Sequence, residues 1–358
     1  MTDPGQRLRS SLTAEQSASA VEFDSPIAME ALRATQVLHA ADQEPFPVPG
    51  RIRVITIANQ KGGVGKTTSS VNLGVALALY GLRTLVIDLD PQGNTSTALG
   101  VPHSVGTPSV YDALVGDSSL AEVVHPTTAT PLLSCVPATI DLAGAEIELV
   151  SVVAREYRLR RAIEIYLQEL PPEQRPHYVL IDCPPSLGLL TLNALVAGDE
   201  VLIPIQCEYY ALEGLGQLLN NIDLVRRHLN PGIAVRTILL TMYDGRTKLA
   251  DQVAEEVRNH FGSLVLDAVI PRNVRVSEAP GYGQSVVTYD PGSRGSTSYV
   301  EAARELAHRG VALPPLPSRP TPGSPVAAPV GSATTVMAFP DTDAATVPVP
   351  PSSEENKA

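Results

Sequence analysis

The chain has 358 residues, enough for one large α/β domain or two ordinary ones. Lys and Arg total 26 against 38 Asp and Glu, a net charge of −12, which excludes a chain that coats DNA through overall positive charge. Aromatics are only 4% with no Trp, which argues against single-strand binding by base stacking, and no apolar run approaches the roughly 18 residues of a membrane span, so a cytoplasmic protein is expected.

Residues 1–50 are polar and rich in Ser and Ala, and they close with Pro45, Pro47 and Pro49. Ile27, Ala31, Ala34 and Leu38 fall near helical spacing, so a transient helix is expected inside an otherwise disordered extension. Residues 51–313 then alternate apolar strands with amphipathic stretches. Strands are expected at Arg53–Ala58, Thr84–Leu89, Tyr178–Asp182, Glu200–Ile205, Arg236–Met242 and Val265–Ile270. Each is a continuous β-branched or Leu run, the pattern of a strand buried on both faces of a parallel sheet. Helical spacing follows, as in Val71, Val75, Ala78 and Leu79, and again in Leu212, Leu215, Leu218, Leu219 and Ile222. The expected fold is one α/β domain with a doubly wound, mostly parallel sheet and helices on both faces, whose ligands sit beyond the carboxyl ends of the strands. The basic run Arg155–Arg161 reads as a solvated helix face. From Pro314 to Ala358, prolines interleave with Ala, Val, Thr and Ser, a composition that builds no core, so a disordered tail is expected.

The first strand runs into Asn59-Gln60-Lys61-Gly62-Gly63-Val64-Gly65-Lys66-Thr67-Thr68 and then a helix. Glycines let the backbone turn tightly and aim N–H groups inward, and the helix N-terminus adds its dipole, so the loop reads as a cradle for a di- or triphosphate. Lys66 supplies a point charge to the β- and γ-phosphates, and the Thr67 hydroxyl is set to ligate Mg²⁺. After the second strand, Asp88 and Asp90 are expected to leave the same face toward that crevice, where two carboxylates can divide the work on metal and water. A further apolar strand ends in Asp182, delivering one carboxylate to the Mg²⁺ site before Pro184 and Pro185 stop the ladder.

Gln60 stands where the general phosphate loop has its first Gly, and Lys61 is an additional lysine. The pattern K-G-G-x-G-K-[ST] is the deviant Walker A motif, and the sequence resembles the ParA/MinD family of dimerising ATPases. Later segments, Thr241–Thr247, Ile270–Pro280 and Tyr289–Gly295, look like the chromosomal, Soj-type ParA proteins, and the tails resemble extensions of actinobacterial members. The resemblance implies an ATP-dependent homodimer in which Lys61 reaches the partner's nucleotide. By the D-x-D-P-Q-G-N pattern it makes Asp90 the residue that activates water, beside Lys61 and Lys66, with Thr67, Asp88 and Asp182 around Mg²⁺. It places the adenine near Met242, Pro271 and Asn273. It also implies non-specific binding to double-stranded DNA through Arg246 and Arg275, with Arg272 and Arg294 nearby, a ParB-like centromere-binding partner, and association with the nucleoid. The tails are expected to meet polar scaffold proteins. Charge fits such a local face: 51–225 holds 10 basic against 18 acidic residues, or −8, while 226–309 holds 11 against 9, or +2.

Two alternatives remain in the sequence. A MinD-like membrane-cycling regulator needs a basic amphipathic C-terminal helix, and 314–358 offers only Arg319 and Lys357. An electron carrier resembling the nitrogenase iron protein needs cluster cysteines at a dimer surface, for which Cys135 and Cys183 are candidates in number only.

Overall fold

The computed structural model describes residues 44–116, 118–209, 215–311 and 313. The proline-rich tail, residues 1–43 of the N-terminal extension, and the contacts expected of both tails lie outside the described residues. The sheet contains β1 (Arg53–Ile57), β2 (Thr84–Asp88), β3 (His125–Pro126), β4 (Leu133–Val136), β5 (Tyr178–Asp182), β6 (Glu200–Gln206), β7 (Ala234–Tyr243) and β8 (Val265–Pro271). Their order is β3-β4-β2-β5-β1-β6-β7-β8, and every neighbouring pair is parallel except β3 with β4. All six strands read from the sequence are present. Two were not read: β4 is four residues long with half-buried Ser134 interrupting its apolar run, and β3 is two residues ending in a proline. Asp182 therefore closes the fifth strand in chain order.

The continuous apolar runs have the expected cause, since every residue of β1, β2 and β5 is buried. Among the described residues, six helices reach nine residues or more: α1 (Lys66–Leu79), α2 (Arg158–Glu169), α3 (Leu189–Ala197), α4 (Leu215–His228), α5 (Lys248–Phe261) and α6 (Arg294–Val311). α1 and α6 cover one face of the sheet, with Leu73, Leu77 and Leu306 in a common core. α2 to α5 cover the other through Ile163, Leu195, Leu218 and Val257. The packed chain reaches back into the stretch expected to be an extension: Phe46 is buried, stacks on Tyr80 with ring centroids 4.3 Å apart, and lies beneath the Arg304 guanidinium.

The chain crosses to the other side of β1 only after β5, so β1 and β5 flank the point where the winding reverses. In such sheets a crevice opens there, beyond the carboxyl ends of the strands. At the opposite end, Arg53 closes the sheet with bonds to both oxygens of Glu200 (3.0 and 2.6 Å) and to the Leu306 carbonyl (2.6 Å). This buried pair ties β1, β6 and α6 together far from the crevice.

Candidate active site

β1 ends at Ile57, and the chain turns through Asn59–Gly65 into α1. Gly63 (φ +74°) and Gly65 (φ +89°) are left-handed, and Gly65 is the residue before α1. Behind, the loop is pinned: the Asn59 side-chain amide donates to the Pro204 carbonyl (2.7 Å), its Oδ1 accepts from Lys61 N (3.0 Å), and Thr241 Oγ1 donates to the carbonyl of buried Val64 (2.8 Å). In front it is open, because a Cβ placed on Gly62 or Gly63 would meet nothing within 4 Å. An open loop rim before the N-terminus of a 14-residue helix is the setting of an anion cradle. Lys66 is 7% exposed and donates to the Lys61 carbonyl (3.3 Å). Burial lowers its pKa, opposed by the nearby Asp182, Cys183 and Asp90. The Thr68 carbonyl accepts from Asn72, which also fixes Val286 N, so the first turns of α1 are held from the α6 side.

Parallel pairing sets Asp88 directly beside Asp182, with Ile57 of β1 on the other flank. Both carboxylates are fully buried. Asp182 accepts from three hydroxyls: Thr67 Oγ1 (2.8 Å), Ser70 Oγ (3.0 Å) and Thr95 Oγ1 (2.7 Å). Asp88 accepts from Ser96 N (2.9 Å), Ser96 Oγ (2.7 Å) and Asp90 N (3.2 Å). Burial and the charge of Asp182 push Asp88 up to about 7. Burial pushes Asp182 up to about 6, with the three hydroxyls opposing. Asp88 and Asp90 both act electrostatically on Asp182, but their surroundings differ. Asp88 Oδ2 is engaged by Ser96 at the first turn of the 94–98 helix and its Oδ1 by Asp90 N, whereas Asp90 stands at the edge, 9% exposed, its carboxylate accepting only from Gln92 N (3.0 Å) among the described residues.

The remaining predicted residues fall into two groups on the same end of the sheet. Met242 has φ +51°, one of two non-glycine residues with positive φ among those described, a conformation that costs of order 1–3 kcal/mol and gathers at functional sites. Tyr243 pairs with Pro271, Arg272 N donates to the Tyr243 carbonyl (3.0 Å), and Asn273 Oδ1 caps the following turn through Arg275 N (2.8 Å). Met242, Pro271 and Asn273 are therefore neighbours at the ends of β7 and β8. The arginines lie outside them. Arg246 is 86% exposed and paired with Asp244 (2.7 Å), Arg275 with Glu278 (2.9 Å) and Asp290 (3.2 Å), and Arg272 with Glu208 (3.6 Å). Arg294 is exposed at the start of α6, where a Cβ on Gly295 would sit 2.5 Å from Val276. Arg246 holds the Asp244 carboxyl down to about 2, with Arg272 adding to the effect, so these two arginines flank one carboxylate.

Two readings are corrected by packing. The Arg155–Arg161 segment is not a solvated face: Arg160 is 4% exposed, and Arg158 donates to the carbonyls of Leu114 and Gly116 (2.7 Å each). Cys135 and Cys183 are buried in the cores on opposite faces of the sheet, with no joint surface for a cluster. Four site residues escaped the sequence reading. Ser70 lies one helical turn beyond Thr67, and Thr95 and Ser96 directly follow the Gln92-Gly93-Asn94 stretch, so spacing could have found them; Glu208, which meets Lys61 at 3.4 Å, gave no local signal.

An AAA domain model matches residues 52–235. The chain is 53% identical over 258 residues to the sporulation initiation inhibitor protein Soj of Bacillus subtilis, covering 72% of this chain and 99% of that one. It is 52% identical over 257 residues to the chromosome partitioning protein ParA of Myxococcus xanthus, covering 72% and 88%. Among solved structures, one described as cobyrinic acid a,c-diamide synthase of Mycobacterium smegmatis with a bound ATP analogue and magnesium is 37% identical, with a TM-score of 0.61 over 72% of this chain and 95% of that one. With its phosphate loop, buried acid pair and α/β sheet in place, the chain belongs to the Soj/ParA family of chromosome-partitioning ATPases.

Proposed function

We propose that the protein is an ATP-gated dimerising switch: the ATP dimer binds double-stranded DNA without sequence preference, and hydrolysis stimulated by a ParB-like, DNA-bound partner resets it. The observation that carries this reading is the joint between α1 and β5, where Thr67 and Asp182 meet at 2.8 Å beside a phosphate loop open to the crevice. The donor set suits a hard divalent cation, since two buried carboxylates and a hydroxyl stand together, and Asp88 and Asp182 are both pushed toward neutrality. Thr67 and Asp182 would hold Mg²⁺, with Asp88 steadying the site through Ser96; there the ion would offset charge developing on the phosphates.

The loop N–H groups and Lys66 bind the β- and γ-phosphates. Thr68, the second residue of the α1 run that follows Lys66, completes the contact. Met242, Pro271 and Asn273 line the adenine, and the strained backbone at Met242 supports that placement. Asp90, at the edge of the crevice and carrying a free acceptor capacity, orients the attacking water. Lys61 crosses to the partner subunit's nucleotide, which makes the γ-phosphate part of the dimer contact and couples dimerisation to ATP. Arg246, Arg272, Arg275 and Arg294 bind DNA phosphates, which supports a nucleoid-associated protein.

The test is Asp90→Ala. With ATP and Mg²⁺ it is expected to elute as a persistent dimer in size-exclusion chromatography while hydrolysis falls about 10²-fold or more. A variant that remains monomeric and hydrolyses ATP at the parent rate contradicts the reading.

A further inference from the structure

Charges alternate along a string that runs from the outer basic surface to the phosphate loop: Arg246, Asp244, Arg272, Glu208, Lys61. Glu208 occupies its inner end. It stands just beyond Gln206, the last residue of β6, whose side-chain amide donates to Glu208 Oε1. Its Oε2 lies 3.4 Å from Lys61 Nζ, and its Oε1 lies 3.6 Å from Arg272 Nη2. Two cations from segments distant in sequence thus share one carboxylate.

The three groups differ in how firmly they are held. Lys61 is fixed at its backbone on both sides, by Asn59 at its N–H and by Lys66 at its carbonyl, so only its side chain is free to leave. Arg272 is fixed at its backbone by Tyr243, so its guanidinium remains at the end of β8 whatever Lys61 does. Lys61, Glu208 and Arg272 are 40%, 45% and 61% exposed, where an ion pair is weak enough to exchange on demand.

We infer that Glu208 is a positioning residue for Lys61. It retains the ammonium on its own subunit until a partner's nucleotide takes it, and Arg272 is the counter-cation that remains with Glu208 when Lys61 departs. This rests on the reading that Lys61 crosses the dimer. The two neighbours of Lys61 then have opposite effects. Glu208 opposes release, because the pair must break before Lys61 reaches the partner. Arg272 favours release, because it leaves Glu208 with a cation afterwards and competes for it beforehand.

The experiment is ATP-dependent dimerisation of the full chain without DNA, followed by sedimentation over a protein concentration series. Glu208→Gln keeps the side-chain volume and a hydrogen-bonding partner for Gln206 while removing the charge. It is expected to dimerise at roughly two- to fivefold lower concentration than the parent, and Arg272→Gln at a correspondingly higher one, the range set by the weakness of exposed pairs. In a Lys61→Ala background, compared at the higher protein concentrations where that variant does dimerise, Glu208→Gln is expected to leave the concentration dependence unchanged, a result that a merely structural role for Glu208 does not produce. Glu208→Gln dimerising like the parent or less readily, or Arg272→Gln dimerising more readily, overturns the inference. If Lys61→Ala itself dimerises with ATP like the parent, the crossing of Lys61 fails instead, and the two failures are separate.

Discussion

At the residue scale the site is built from charges placed where water cannot reach them. Asp88 and Asp182 sit side by side in register, and each accepts its hydrogen bonds from hydroxyls and N–H groups rather than from cationic side chains among the described residues. In the folded chain both therefore keep their protons to higher pH than in the unfolded chain, up to about 7 and about 6. The folded state binds more protons than the unfolded state between about pH 4 and 7, so stability supplied by this pair is full at the acid end and is lost as pH rises through that window. Thermal melts of the metal- and nucleotide-free protein are expected to show this decline, and Asp88→Asn is expected to flatten it. A melting temperature that rises steadily from pH 5 to 7.5, with Asp88→Asn following the same curve, contradicts the account. The phosphate loop and these acids were legible because each lies in a contiguous stretch at a strand end. Glu208 was not: its contact with Lys61 joins residues 147 apart, and nothing in either neighbourhood announces the other.

At the element scale, β1, β2 and β5 were readable because burial on both faces demands unbroken apolar runs, whereas β3 and β4 are too short or too interrupted to show one. Helix positions followed from spacing, but close approaches between elements did not. Gly198, just past α3, is one such approach: a Cβ there would lie 2.3 Å from Thr56 Oγ1, which donates to the Ala194 carbonyl (2.7 Å) in the core of β1. Gly198→Ala is expected to displace the hydroxyl and cost about 1–3 kcal/mol, from overpacking and a buried group left unpaired. Denaturant midpoints check this, and the argument requires that Thr56→Ala in the same chain recover a large part of the loss. If Gly198→Ala leaves the midpoint unchanged, α3 does not press on β1 as described. The same rigidity serves the site, since β1 carries the phosphate loop and α3 follows the strand that ends in Asp182.

At the scale of the whole molecule, an acidic protein is proposed to hold a polyanion, and local charge resolves the apparent conflict. Arg246, Arg272 and Arg275 lie just beyond the ends of β7 and β8, on the same end of the sheet as the phosphate loop. Three of the four candidates are paired with carboxylates at exposures of about half or more, pairs that contribute little and that DNA phosphates can replace. The regional charge excess was legible in the sequence; the pairing with Asp244, Glu208, Glu278 and Asp290 was not, because it depends on how loops meet after the strands end. DNA binding is then expected only when two such surfaces are joined by ATP. The measurement that tests this most directly is binding to duplex DNA with ATP, with ADP and without nucleotide, across a salt series, for the parent and for Arg246→Ala and Arg275→Ala. The account predicts binding with ATP alone, independent of sequence, with each variant weaker and its slope of log affinity against log salt reduced by about 0.9 per lost phosphate contact. Equal binding under all three nucleotide conditions, or variants that match the parent at every salt concentration, would contradict it.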